Sequence, residues 1–423
     1  MVKLAEHKSR TENNPIERLP LPSKVYIPLS QHIGKICEPQ VNIGDTVLTG
    51  QKIASTQANV YTPIHASISG KVVAIQDWPH PVLGRCRAVV IESDGLDRSQ
   101  VTGHKSQAEI EKLIPDEIRK IVFEAGIVGM GGASFPTHIK LTPPKPVDTL
   151  IINGAECEPF LTSDYRLMLE KTREILLGIE LAKKCLRVNK IYIAIEDNKP
   201  QAVNQFAGNR LGLSVKVLSS AYPQGGEKQL IKNILGKEVP SGKLPFDIGV
   251  VVHNVATVFA IYEAVYQNKP LFERLVTVTG SCLKNPKNLL IRIGTTIKEL
   301  IDFCGPLTEE PAKIIIGGPM MGIAQFTTDV PVIKSTTGVI LFNKKETQAL
   351  EELFCIRCGA CVRECPAGLM PCLINLASEK GLWQEAEKYG AFDCIECGLC
   401  DYVCPANRRM VQSIKRAKLE VTK

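Results

Sequence analysis

Two runs of four cysteines near the carboxyl terminus constrain this chain more than any other feature. The first reads Cys355-Ile-Arg-Cys358-Gly-Ala-Cys361-Val-Arg-Glu-Cys365-Pro366. The second reads Cys394-Ile-Glu-Cys397-Gly-Leu-Cys400-Asp-Tyr-Val-Cys404-Pro405. Both have the spacing C-x2-C-x2-C-x3-C-P, and together they hold eight of the 15 cysteines within fifty residues. In a reducing compartment such clustering points to metal rather than to disulfides.

This spacing is the one that binds [4Fe–4S] clusters in bacterial two-cluster ferredoxins. Three thiolates at every third residue wrap a tight turn around three irons of a cube, and the fourth iron takes a distant cysteine. In the two-cluster arrangement that cysteine comes from the other run. Cys355, Cys358, Cys361 and Cys404 are therefore assigned to one cluster, and Cys365, Cys394, Cys397 and Cys400 to the other. Gly359 and Gly398 let backbone N–H groups approach cluster sulfurs. The competing reading is a pair of zinc sites, but zinc favours C-x2-C knuckles separated by a loop. Two clusters side by side make a wire for single electrons.

The remainder of the chain is long enough for several domains, since 423 residues allow roughly two to four. Apolar residues make up 44% and charged residues 22%, which excludes wholesale disorder. Lys plus Arg exceed Asp plus Glu by 51 to 44, too mild a balance for a nucleic-acid binder. No apolar stretch is long enough and free enough of polar residues to span a membrane. The first residues, MVKLAEHKSRTENNP, lack the apolar core of a signal peptide, so a cytosolic chain is expected.

Residues 1–23 are polar and proline-bearing and read as a flexible arm. From 24 to 100 short alternating runs punctuated by Gly34, Gly44, Gly50 and Gly70 predict a small barrel or sandwich. Helical spacing over 106–126 opens a region in which apolar strands alternate with helices. The strands are VDTLIIN (147–153), KIYIAIED (190–197), LSVKVLSS (213–220) and FDIGVVV (246–252). The helices are Tyr165 to Lys183, Lys199 to Asn209, Glu227 to Leu235 and Val255 to Tyr266. Continuous β-branched strands between helices predict a buried parallel sheet over 101–268. A small α+β module follows over 269–342, and 343–423 is helical and cysteine-rich.

Between the first helical region and the strand at 147 lies Gly129-Met-Gly131-Gly132-Ala-Ser-Phe135-Pro-Thr-His-Ile-Lys140. Glycines let a backbone press against a ring or a phosphate, and Lys140 adds positive charge. A purely structural turn is the competing reading. Three strand ends raise the functional one: Asn153-Gly-Ala-Glu156-Cys157-Glu158-Pro, Tyr222-Pro-Gln-Gly225-Gly-Glu227-Lys and His253-Asn254-Val-Ala-Thr257. Polar residues at the carboxyl ends of parallel strands are where such sheets bind ligands.

These segments resemble the flavin-binding domain of the NADH-oxidising subunit of respiratory complex I. The resemblance implies that Gly129, Gly131, Lys140, Asn153, Glu156, Gly225, Asn254 and Thr257 line non-covalent FMN. It also implies that Phe135, Glu158, Glu227, Lys243 and Phe246 serve NADH as substrate. Ala155 and Cys157 depart from the Asp and Ser of that family.

With a β-rich module before the flavin domain and two cluster motifs after it, the order resembles the RnfC family. The resemblance covers about residues 20–410. It implies an α/β multidomain fold: a barrel-sandwich module, a parallel-sheet FMN domain, a β-grasp-like module and a helical two-cluster ferredoxin-like domain. It further implies a peripheral subunit on the cytoplasmic face of the cell membrane, beside integral-membrane and ferredoxin-like Rnf subunits. Electrons would pass reversibly between NADH, FMN, two [4Fe–4S] clusters and a partner. A microcompartment cobalamin reductase and a non-catalytic cluster-bearing adaptor are the alternatives.

The hairpin at 45–75 resembles a biotinyl or lipoyl carrier, but its tip, Thr56-Gln-Ala-Asn-Val-Tyr61, has no lysine to modify. The tail cations Arg408, Arg409, Lys415, Arg416, Lys418 and Lys423 read as a solvated helix end or a docking patch.

Overall fold

The computed structural model describes residues 2–422 except 102, 210 and 349. Its first module is built from two small antiparallel sheets. One orders Lys24–Pro28, Gly84–Ser93, Gly70–His80 and Thr46–Val47; the other orders Glu38–Pro39, Lys52–Ser55 and Ile64–His65. Alternate residues such as Val25 and Ile27, Val89 and Ile91 point inward and form one core with Val47, Ile53 and Val72. Gly70 marks the closest approach, because a Cβ there would lie 1.9 Å from the Glu92 carbonyl.

The second module carries the expected parallel sheet, ordered Leu213–Leu218, Lys190–Glu196, Thr149–Gly154 and Val250–Asn254. Leu150 and Ile152 face one apolar layer, and Ile151 faces another that includes Leu230 and Ile231. The sheet is thus covered on both faces, which explains its unbroken β-branched runs. The chain runs outward from Thr149–Gly154 on one side and returns to Val250–Asn254 on the other. Asn153 and Asn254 are register partners at that reversal. A crevice opens at such a switch point, beyond the strands' carboxyl ends.

Several boundaries differ from the sequence reading. The helical stretch over 106–126 is two helices, Gln107–Lys112 and Pro115–Glu124. Pro115 cannot donate to a preceding turn and starts the second one. The helix expected from Tyr165 to Lys183 is also two, Ser163–Glu170 and Thr172–Leu186. The segment FDIGVVV begins as a 3-10 turn over Pro245–Ile248, and the strand starts only at Val250, after Gly249 at φ +78°.

The third module is a six-stranded mixed sheet packed on the helix Ile297–Cys304. One of its edge strands is Ile16–Arg18, parallel to Lys287–Arg292. The arm expected to be flexible is therefore a strap pinned along the molecule. Its backbone pairs with Tyr222 through Val2, and the His7 ring stacks on Phe160 at 4.7 Å.

The last module packs the helices Pro371–Glu379, Trp383–Lys388 and Met410–Val421 around Ile374, Ala386, Ala391 and Ile414. Both cysteine runs fold alike. Arg357 and Glu396 have φ of +56° and +57°, and Gly359 and Gly398 follow at +74° and +81°. Most tail cations are already engaged. Arg408 pairs with Glu352 and Glu379, Lys415 and Lys418 pair with Glu396, and Arg416 lies over the Trp383 ring. Lys423 lies outside the described residues. No helix among those described is long and apolar enough to cross a membrane.

Candidate functional site

The glycine-rich loop is fastened from below. Gly129 donates to the Phe135 carbonyl (2.9 Å), and the Met130 N–H donates to the buried Thr257 hydroxyl (3.0 Å). Buried Arg274 donates to the carbonyls of Met130 (3.0 Å) and Thr336 (2.9 Å). Gly131, Gly132 and Ala133 are left exposed on top, with half-buried Phe135 after them. Gly131 lies against Asn254, where a Cβ would come within 2.7 Å of the amide nitrogen.

The loop leads into the short helix Thr137–Lys140, which delivers Lys140 to the strand ends. Its ammonium donates to Glu227 and to the Val252 carbonyl, both at 2.7 Å. His253 beside it is buried, and its Nε2 has no partner. Burial, with Lys140 adding to it, lowers its pKa to about 3, so the ring is neutral. Lys140, Glu227 and a buried imidazole with an open nitrogen thus share one rim of the crevice.

Asn153 donates to the Gly225 carbonyl (2.9 Å), and the Gly225 N–H donates to the Cys157 sulfur (3.3 Å). Asn254 caps its own helix through Ala256 N–H (2.8 Å) and donates to Asp164 (2.6 Å). Glu156 has φ +51°, and its carboxylate accepts from the backbone of Asp164 (2.7 Å) and Tyr165 (3.2 Å), capping the helix Ser163–Glu170. These three side chains hold the crevice in shape. The exposed glycine backbone, with the Lys140 ammonium held beside it on Glu227 and the Val252 carbonyl, fits a flavin phosphate.

Of the five residues expected to serve NADH, Phe135 and Glu227 sit at the crevice. Glu158 is turned toward the third module, where it accepts from Met320 (3.1 Å) and Met321 (2.9 Å). Burial raises its pKa to about 7. Lys243 is exposed and Phe246 half-buried on the 3-10 turn. Among the described residues no hydrogen bond or ion pair ties either of them to Phe135, Glu158 or Glu227.

The cysteines of the second run lie beside this crevice. Cys365, Cys394, Cys397 and Cys400 ring a cavity of about 350 Å3, open space included, with Leu369, Leu399 and Ile414 in its wall. Of these four, Cys365 belongs to the first run. Four thiols around a cavity suit a many-atom cluster better than one tetrahedral zinc. In the other run Cys355 and Cys358 are exposed. Cys361 packs with Cys404 and also with Cys372, a cysteine outside both motifs.

Tyr222 joins the two halves of the site. Its hydroxyl is buried and donates to the Cys397 carbonyl (2.7 Å). Tyr222, Cys157, Met320, Cys397 and Leu399 share one apolar cluster. Cys157 is neutral there, its thiol pushed up to about 12 by burial. In the sequence Tyr222 stands only as the first residue of a turn motif, with no role of its own. A single aromatic residue carries no signal of the domain it will touch.

Comparison with known proteins agrees with this geometry. Family models match a Nuo51 FMN-binding domain over 122–263 and an RnfC barrel sandwich hybrid domain over 2–96. Others match an SLBB domain over 275–324 and a 4Fe-4S dicluster domain over 349–406. The chain is 50% identical to the C component of the proton-translocating ferredoxin:NAD(+) oxidoreductase complex of Clostridium ljungdahlii, over 98% of this chain and 92% of that protein. It is 48% identical to the C component of the Na(+)-translocating ferredoxin:NAD(+) oxidoreductase complex of Acetobacterium woodii, over 95% and 91%. Among solved structures, an NAD+-reducing [NiFe]-hydrogenase shares the fold, with TM-score 0.50 and 18% identity over 74% of this chain and 62% of that one. Near-full-length identity of this degree, with the flavin-type crevice and the paired cysteine runs in one polypeptide, means that the chain belongs to the RnfC family, a subunit of ion-translocating ferredoxin:NAD(+) oxidoreductase complexes.

Proposed function

We propose that the chain is the NADH-side electron-transfer subunit of such a complex, with FMN at the sheet crevice and two [4Fe–4S] clusters in the last module. Bound there, FMN supplies the conversion of a two-electron hydride donation into single-electron steps, and the clusters supply the single-electron carriers. The chain's own residues bind, orient and wire these groups. Gly129, Gly131 and Lys140 hold the phosphate end, while Asn153, Glu156, Gly225, Asn254 and Thr257 shape the crevice. Phe135 and Glu227 offer NADH an aromatic face and a carboxylate. Glu158 stands behind that rim, bonded to the Met320 and Met321 amides, and Lys243 and Phe246 complete the rim when NADH is bound.

The observation that carries the reading is the hydrogen bond from Tyr222 to Cys397. It joins the crevice to the cavity ringed by Cys365, Cys394, Cys397 and Cys400. That cluster is the inner one, next to the flavin. The cluster of Cys355, Cys358, Cys361 and Cys404 is the outer one and faces a ferredoxin-like or integral-membrane partner subunit. Its exposed cysteines suit hand-over at the cytoplasmic face of the membrane. The third module is the β-grasp-like element that clamps flavin domain and cluster domain through Glu158 and Met320.

Anaerobic reconstitution with iron, sulfide and FMN tests the reading. The expected product carries about eight irons per chain, and NADH bleaches its flavin. Glu227→Gln should impair bleaching by NADH but not reduction by dithionite. A colourless protein, or one with zinc in place of iron and sulfide, overturns the proposal.

A further inference from the structure

The amino-terminal strap brings a lysine to the crevice from behind. Lys8 is buried, and its ammonium donates to the Glu156 carbonyl. From the other side the ammonium of Lys199, also buried, donates to the Ala155 carbonyl (2.7 Å) and to Glu196 (2.9 Å). Two consecutive carbonyls of the crevice loop are therefore each held by a buried cation. Glu156 needs such support because its backbone is left-handed, a conformation unfavourable for a residue with a side chain. The strap around Lys8 is itself fixed. Phe160 N–H donates to the Glu6 carbonyl (2.8 Å), Asn288 donates to the Thr11 carbonyl (2.9 Å), and Arg10 donates to the Gly280 carbonyl (2.6 Å).

Charge adds a second consequence. Around the loop the cations Lys8 and Lys199 face the carboxylates of Glu156 and Glu196. One oxygen of Glu196 is buried without a partner. Removing Lys8 leaves this cluster with an excess negative charge in a region of low dielectric, where charge acts strongly. Reduction adds negative charge to a flavin, so a cation behind its loop favours the reduced form.

We propose that Lys8 is a positioning residue of the flavin site: it fixes the Ala155–Cys157 backbone and raises the flavin's reduction potential. The inference rests on the flavin reading above. The experiment uses the full chain reconstituted with FMN and both clusters, as wild type, Lys8→Met and Lys3→Met. Lys3 lies on the same strap but is exposed, so its replacement removes the same charge without touching the loop. FMN content and flavin midpoint potential are read for each.

The expected result is a more negative potential for Lys8→Met and an unchanged one for Lys3→Met. Selective loss of FMN from Lys8→Met, with its iron content intact, also supports the assignment. Equal potentials and equal FMN content in all three proteins overturn it. Equal shifts in both variants overturn it too, because they mark a general charge effect. A wild-type protein that takes up no FMN overturns the flavin reading itself, along with this inference.

Discussion

The two cysteine runs share spacing, local helix and left-handed turns, yet they sit in opposite surroundings. In the second run Cys397 and Cys400 are buried, the Cys397 carbonyl accepts from Tyr222, and Gly398 presses on the Met320 carbonyl. In the first run Cys355 and Cys358 are exposed, and the flanking Phe354 and Ile356 are 92% and 67% exposed. The two runs therefore share a motif but differ in packing, and in the proposed relay that packing decides where each cluster would stand. In the proposed relay one cluster would face the flavin and the other would face outward, the asymmetry that passage from a cofactor to a partner needs.

The largest expected effect concerns which cysteines act together. Cys365→Ala and Cys397→Ala should each lower the iron content from about eight to about four per chain, and the double variant should lose no more. Cys358→Ala combined with Cys365→Ala should lose nearly all of it. Iron that falls additively in the first pair and not in the second contradicts the crosswise assignment.

Matched glycines sharpen the contrast. Gly359→Ala meets only backbone strain, with an Arg363 nitrogen 3.3 Å from the new Cβ. Gly398→Ala meets the same strain of about 1–2 kcal/mol and a backbone carbonyl at 2.8 Å. Thermal unfolding of the reconstituted chain should drop further for Gly398→Ala. Equal losses would mean that the second run is not wedged against the third module.

Tyr222→Phe removes one buried hydrogen bond and strands the Cys397 carbonyl, a cost of about 1–3 kcal/mol. It should lower the melting temperature by a few degrees and slow reduction of the inner cluster by NADH. Reduction by dithionite should stay unchanged.

The smallest effect concerns pH. The carboxyl of Glu158 moves from an ordinary 4.5 to about 7 on burial. Its folded form holds the proton more tightly, so its contribution to stability is full below about 4.5 and is lost as pH rises through about 7. Melting temperatures recorded across that window should fall less steeply for Glu158→Gln than for wild type. Identical slopes would mean that burial does not raise the Glu158 carboxyl in the folded protein.

The difference between the runs also marks what a sequence can convey. Cysteine spacing is a local pattern, so the 4Fe-4S dicluster motif is legible in the order of residues alone, and the crosswise pairing we propose starts from it. The parallel sheet is legible too, because β-branched strands buried on two faces leave unbroken apolar runs. The amino-terminal strap is not. Lys8, Arg10 and Asn14 form bonds to residues more than a hundred positions away, and polar side chains show the same composition whether they are solvated or satisfied by distant carbonyls. The turn of Glu158 away from the crevice is equally hidden, since the Met320 and Met321 amides that hold it lie in another module.

The most direct test of the relay is rapid-freeze electron paramagnetic resonance after mixing with NADH, on wild type and Cys397→Ala. NADH should reduce both clusters of the wild type. In the variant the remaining outer cluster should stay oxidised on the same timescale, although the flavin still bleaches and dithionite still reduces the cluster. An outer cluster reduced by NADH as fast in the variant as in the wild type would contradict the path through Tyr222 and Cys397.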